Sequence, residues 1–157
     1  MPSHSLVSDF RCVVLSTVAM ILACGCAEFE SSANLPQPSP EVSGQAERLA
    51  VGEDGSITHE NVDFLEALNA PGKTVIVDFW ATWCGPCRML APELEKVAKE
   101  SGGQVVVLKV NVDEEAELAA QFGISGIPDM RIFRDQQPVS RILGFRPAAE
   151  IRKNLPQ

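Results

Sequence analysis

The segment that most constrains the fold is Val75-Ile76-Val77-Asp78-Phe79-Trp80, which runs almost directly into Cys84-Gly85-Pro86-Cys87. A dense apolar run of strand length and strand composition is the pattern of a strand covered on both faces. From Cys87 to Glu100 the periodicity changes. Leu90, Leu94, Val97 and Ala98 form a helical stripe, Glu93, Glu95, Lys96 and Lys99 lie off it, and Gly102-Gly103 closes it. The two cysteines therefore fall where a buried strand hands over to a long helix.

The remaining elements follow from the same periodicities. Asn61 to Asn69 carries Val62, Leu65 and Leu68 at helical spacing and ends at a turn-forming Ala70-Pro71-Gly72, with a short strand around Ser56 to Thr58 before it. Val105 to Val110 reads as a second buried strand, and Glu114 to Phe122 as a helix that Gly123 ends. Met130 to Phe133 and Val139 to Leu143 read as strands, and Ala148 to Leu155 as a last helix. Elements in this order predict an α/β fold, a central mixed β-sheet flanked by helices on both faces.

One such domain leaves part of the 157 residues over. Residues 1–26 read as a signal peptide. A polar Met1 to Arg11 precedes the apolar run Cys12 to Ala23, which is shorter than the roughly 20 residues of a membrane span but fits a secretory core of roughly 7 to 15. Ile21-Leu22-Ala23-Cys24-Gly25-Cys26 resembles a bacterial lipobox, which makes Cys24 the expected lipidation site and Cys26, after the equally small Gly25, the alternative. Two acyl chains plus an acylated amine anchor firmly where a single chain binds only marginally. Residues 27–50, which contain SSANLPQPSPEVSGQAE, read as a disordered Pro/Ser-rich tether, because such a stretch buries too little apolar surface to offset its ordering entropy. Residues 51–157 form the domain. The expected location is an exported, membrane-anchored lipoprotein facing the periplasm or cell exterior, with soluble secretion as the alternative.

Charge and cysteine count narrow the chemistry. With 13 basic against 21 acidic residues and a net charge of −8, the chain lacks the basic footprint of a nucleic-acid binder. Five cysteines are too few for a disulfide scaffold and odd in number. Cys12 leaves with the leader, Cys24 or Cys26 takes the lipid and the other stays unassigned, and Cys84 and Cys87 are left for redox exchange. A helix N-terminus offers unsatisfied N–H groups and a partial positive charge that favour thiolate. Cys84 at the exposed start and Cys87 one turn further in are close enough to bridge with little backbone movement. The pair is then a two-electron switch: Cys84 attacks a partner's disulfide and Cys87 resolves the mixed disulfide. Asp78 sits where burial is expensive for a charge, which raises its pKa. Trp80 reads as packing and Trp83 as part of the surface on which substrates land. A zinc site needs about four ligands, and the domain offers only His59 beside this pair, so no metal is expected.

VDFWATWCGPCRMLAPELEKVA resembles the thioredoxin family, and the resemblance extends from about Ile57 to Leu155. It takes in KVNVD at Lys109 to Asp113, FGISGIP at Phe122 to Pro128, and Gly144. The resemblance implies a thioredoxin fold in which Pro128 follows a cis peptide bond and packs against Cys84. Ile127 would offer backbone groups to an extended substrate in the manner of an added strand, and Gly144 would lie beside the active site. It also implies that Asp78 takes the proton of Cys87 through water, with Lys109 on the neighbouring strand tuning it. Two positions depart from the pattern: Asp129 stands where the family usually has Thr, and Arg131 where the strand is usually aliphatic. At i and i+2 they share one strand face, and the expectation is that the two charges compensate each other and bias the choice of substrate.

Gly85-Pro86 between the cysteines resembles the reducing members of the family. The primary reading is a protein-disulfide reductase acting outside the cytoplasm as a monomer. It needs no cofactor beyond the redox-active Cys84-Cys87 pair, and it draws electrons from a membrane donor because no NADPH is available there. The alternatives are a tethered thioredoxin-fold module that binds extended peptides, and a disulfide oxidase or isomerase.

Overall fold

The computed structural model describes residues 43–156. The leader, the lipobox with Cys24 and Cys26, and the tether up to residue 42 lie outside the described residues. The elements are β1 (Gln45–Val51), β2 (Ile57–Asp63), α1 (Phe64–Leu68), β3 (Thr74–Trp80), α2 (Gly85–Glu100), β4 (Val105–Asn111), α3 (Ala116–Gln121), β5 (Asp129–Arg134), β6 (Gln137–Leu143) and α4 (Ala148–Lys153). They form one six-stranded sheet in the order β2-β1-β4-β3-β5-β6. β3 pairs parallel with β4 and antiparallel with β5, so the sheet is mixed as expected.

Strand alternation divides the core into two layers. Val75, Val77 and Phe79 of β3 point with Leu108 and Val110 of β4 toward Phe64 and Leu68 of α1 and Leu118 and Ala119 of α3. Ile76, Val107, Met130 and Ile132 point the other way, onto Leu90, Leu94 and Val97 of α2 and Ala148 and Ile151 of α4. The Val75–Trp80 run is apolar throughout because both of its faces are covered.

Two expectations at the N-terminal edge need correction. Residues 45–50, assigned above to the tether, belong to β1, which pairs with β2 along its whole length and with β4 at Glu47, Arg48 and Leu49. Ala46 enters one core layer and Leu49 the other. The strand thus gives one apolar side chain to each face and shows no period of two. The helix expected over Asn61 to Asn69 is confined to Phe64–Leu68. Val62, counted in its stripe, lies in β2, an edge strand whose polar residues face water. Asp63 is the helix N-cap, its carboxylate accepting the N–H of Glu66 at 2.9 Å.

The β5–β6 hairpin turns through Asp135 and Gln136 at φ of 50° and 64°, a region that costs an L-residue roughly 1 kcal/mol or more. Asp135 is tied down by accepting the N–H of Gly72 at 3.1 Å. Among the described residues the Gln136 side chain has only an exposed bond to Asn69 at 2.9 Å. Gln136→Gly is therefore expected to raise the unfolding free energy by roughly 0.5 kcal/mol, seen as a higher urea midpoint at unchanged slope.

Candidate functional site

β3 ends at Trp80 and α2 begins at Gly85, which leaves Cys84 as the N-cap of the helix. Cys84 and Cys87 are joined by a disulfide with Cα atoms 5.3 Å apart. The Cys84 sulfur also accepts the backbone N–H of Cys87 at 3.2 Å. A sulfur in the N-cap position takes one of the helix's orphan donors and sits at the positive end of its dipole, the environment that favours thiolate once the bond is reduced. Pro86 occupies the first turn, where its missing N–H costs nothing. Arg88 ties the helix to the incoming loop by donating to the Thr82 carbonyl at 2.9 Å.

Cys84 is not exposed as the sequence reading expected. In the oxidised state it is 4% accessible and Cys87 3%, packed with Ala81 and against Trp80, Val112 and Ile127. Trp83 provides the exposed surface instead, at 66%, and its ring N–H donates to Asp113 at 2.9 Å. Trp80 is partly buried against the cysteine cluster.

The Ile127–Pro128 peptide is cis, as the resemblance implies, and Ile127 packs against the cysteine cluster. Gly144, at φ 76°, donates its N–H to the Pro128 carbonyl at 2.8 Å, which places it against this loop. An open groove of about 540 Å³ runs alongside, lined by residues that include Trp83, Val112, Ala119, Ile124, Gly126 and Ile127.

Asp78 is 1% accessible, and among the described residues neither of its carboxylate oxygens has a hydrogen-bond partner. By strand alternation it shares a face with Ile76, the face that α2 and Cys87 cover. Burial pushes its pKa from 3.8 up to about 7; Lys109 opposes the rise and Asp129 adds to it. Lys109 is the register partner of Asp78 across β3 and β4. It is no solvated edge residue. Its side chain is 11% accessible, its ammonium lies 4.1 Å from the centre of the Trp80 ring and 3.5 Å from the Glu47 carboxylate.

Asp129 and Arg131 do meet. Arg131 donates to the two Asp129 oxygens at 2.8 and 3.2 Å, and to the Phe122 carbonyl at 3.0 Å. The sequence reading missed Arg141, which donates to the same carboxylate at 2.7 Å from the facing strand. It also missed Glu47 and Asp113, the partners of Lys109 and Trp83. Among the described residues no group of three or more His, Cys, Asp or Glu is placed to hold a metal ion.

A disulfide at a strand-to-helix junction, a buried unpaired acid behind it and a cis-proline loop beside it fit one family, and the Thioredoxin family model matches residues 55–157. The chain belongs to the thioredoxin family. It is 42% identical over 100 residues to a thioredoxin of Alicyclobacillus acidocaldarius subsp. acidocaldarius, an alignment covering 64% of this chain and 94% of the relative. It is 45% identical over 80 residues to a thioredoxin of Staphylococcus aureus, covering 51% and 77%. It is likewise 42% identical over 104 residues to a bifunctional thioredoxin reductase/thioredoxin of Mycobacterium leprae (strain TN), covering 65% of this chain and 23% of that longer protein. Family membership and the Cys84–Cys87 disulfide make the protein a thiol-disulfide oxidoreductase of the disulfide-reductase type.

Asp78 gives this thioredoxin-family domain a pH signature. Its folded pKa of about 7 lies above the ordinary 3.8, so between those values the folded state binds more protons than the unfolded one and stability falls as pH rises. The penalty is absent below about pH 4 and fully developed above about pH 7. Asp78→Asn is expected to be more stable than the parent by roughly 2 to 4 kcal/mol at pH 8 and to lose most of that advantage at pH 4. Urea unfolding of the oxidised proteins at the two pH values reads this directly.

Proposed function

We propose that the protein reduces disulfides of other proteins outside the cytoplasm, tethered to a membrane through a lipidated Cys24. The observation that carries the reductase reading is the Cys84–Cys87 disulfide at the N-terminus of α2, flanked by the cis Ile127–Pro128 bond and the groove beside Trp83; the location rests on the leader and lipobox pattern of residues 1–26. In the reduced enzyme the Cys84 thiolate attacks one sulfur of the client disulfide. The client's S–S bond breaks, a Cys84–client mixed disulfide forms, and the other client sulfur leaves as a thiolate that takes up a proton. Cys87 then loses its proton to Asp78, directly or through one water, and attacks the Cys84 sulfur. The Cys84–client bond breaks, the second client sulfur leaves as a thiolate that takes up a proton, and the Cys84–Cys87 bond closes. Two electrons have passed to the client, and a dithiol donor carried by the membrane returns the pair to its reduced form.

Asp78 suits its part because its raised pKa lets it hold or release a proton near neutral pH. Client backbone would pair with Ile127 as an added strand, while Trp83, Gly85, Pro86 and Gly144 shape the landing surface. Gly85-Pro86 between the cysteines supports the reducing direction over an oxidase or isomerase. No feature of the site favours a binding module in which the dithiol is incidental.

Cys87→Ser is expected to lower multiple-turnover reduction of insulin by about a hundredfold or more and to accumulate a client adduct on Cys84 that dithiothreitol releases. Equal client capture by a Cys84→Ser, Cys87→Ser variant would point to a binding module instead. Labelled palmitate should mark the full-length protein in a bacterial host, and Cys24→Ala should abolish both the label and membrane retention. A label that persists in Cys24→Ala and disappears in Cys26→Ala would move the anchor to Cys26.

A further inference from the structure

The loop between α3 and β5 carries Ile127 and cis-Pro128, and both of its ends meet at one side chain. Phe122 begins it. Its ring is locked among Phe64, Phe79 and Phe133 at centroid distances of 5.6, 5.3 and 6.1 Å. Asp129 ends it, immediately after the cis-proline. The guanidinium of Arg131, only 5% accessible, donates at once to the Phe122 carbonyl and to both oxygens of the fully buried Asp129. A planar fork with several fixed donors can bridge a carbonyl and a carboxylate in this way, whereas an ammonium acts as a point charge. Asp129 is held from its other side by Arg141 of β6, in the same hairpin whose Gly144 N–H binds the Pro128 carbonyl.

We propose that Arg131 is a positioning residue for client recognition: by clamping Phe122 to Asp129 it fixes the loop that presents the Ile127 backbone to an extended protein substrate. The inference rests on the reductase reading for its kinetic consequence, and on geometry alone for its structural one. Arg131 touches neither cysteine and lies on the α1/α3 face of β5, opposite the face that carries Asp78. Its effect should therefore appear in binding of extended clients and not in the reactivity of the thiols. Arg141 remains paired with Asp129 when Arg131 is removed, so Arg131→Met leaves no isolated charge.

The test compares wild type, Arg131→Met and Arg131→Lys. For insulin, the KM of Arg131→Met should rise about tenfold with kcat held within about twofold. The rate with a small aromatic disulfide, which needs no backbone pairing, should stay within about twofold of wild type. Arg131→Lys restores charge without the fork, so it should recover thermal stability and not the KM. Amide hydrogen exchange at Ile124 and Gly144, whose N–H groups bond the Ala119 and Pro128 carbonyls, should quicken about tenfold in both variants relative to the amides of β3. Unchanged exchange in the loop overturns the clamp, and so does full recovery of KM by Lys or an equal loss with the small disulfide. If wild type itself fails to reduce insulin, the reductase reading falls, and the exchange measurement still decides the clamp.

Discussion

The site depends on where β3 is allowed to lie. It is hydrogen-bonded to β4 on one side and β5 on the other and covered by helices on both faces, so its C-terminal end is fixed in three dimensions. Every functional group is measured from that end. Cys84 caps the helix that starts beside it, and cis-Pro128 enters the sheet as β5 begins opposite Phe79. Lys109 faces Asp78 in the adjoining register position. A strand at the sheet edge would leave its acid in water and its helix start free to sway, and neither proton affinity nor approach geometry would be defined.

Two buried carboxylates share this region and are treated in opposite ways. Asp129 is neutralised by two guanidinium groups and serves the architecture of the loop. Asp78 has no hydrogen-bond partner among the described residues, and desolvation leaves its proton exchangeable near neutral pH. A buried acid that is fully satisfied holds structure; one left unsatisfied costs stability and is kept where chemistry uses its proton. The stability cost of Asp78 supports the proposal that its carboxyl takes the proton of Cys87. Lys109 restrains that cost without forming a direct pair, because Glu47 and the Trp80 face hold its ammonium.

Much of this was legible in the residues themselves. The Val75–Trp80 run, the helix stripe after Cys87 and the two cysteines between them locate the reactive junction from periodicity alone, and the family resemblance supplied the cis bond at Pro128. What escaped was set by pairing across the sheet. β1 gives Ala46 to one core layer and Leu49 to the other, so no alternation marks it, and it follows directly on a Pro/Ser-rich stretch. Missing β1 also hid Glu47 as the partner of Lys109. Val62 mimicked a helical stripe only because β2 runs straight into α1. Asp129 and Arg131 could be paired from their spacing, but Arg141 becomes their neighbour through the β5–β6 register, and that register turns on left-handed Asp135 and Gln136, which no glycine announces.

The central claim is that the Cys84–Cys87 pair works as an electron donor to other disulfides, and its equilibrium reduction potential tests this most directly. Thioredoxins are poised near about −270 mV, isomerases near about −180 and the strong oxidant of the same fold near about −120. Equilibration of the purified domain with a glutathione or dithiothreitol redox series, read by quantifying free thiols, should place the pair below about −230 mV. A value above about −200 mV would contradict a reductant and assign the site to disulfide formation or exchange.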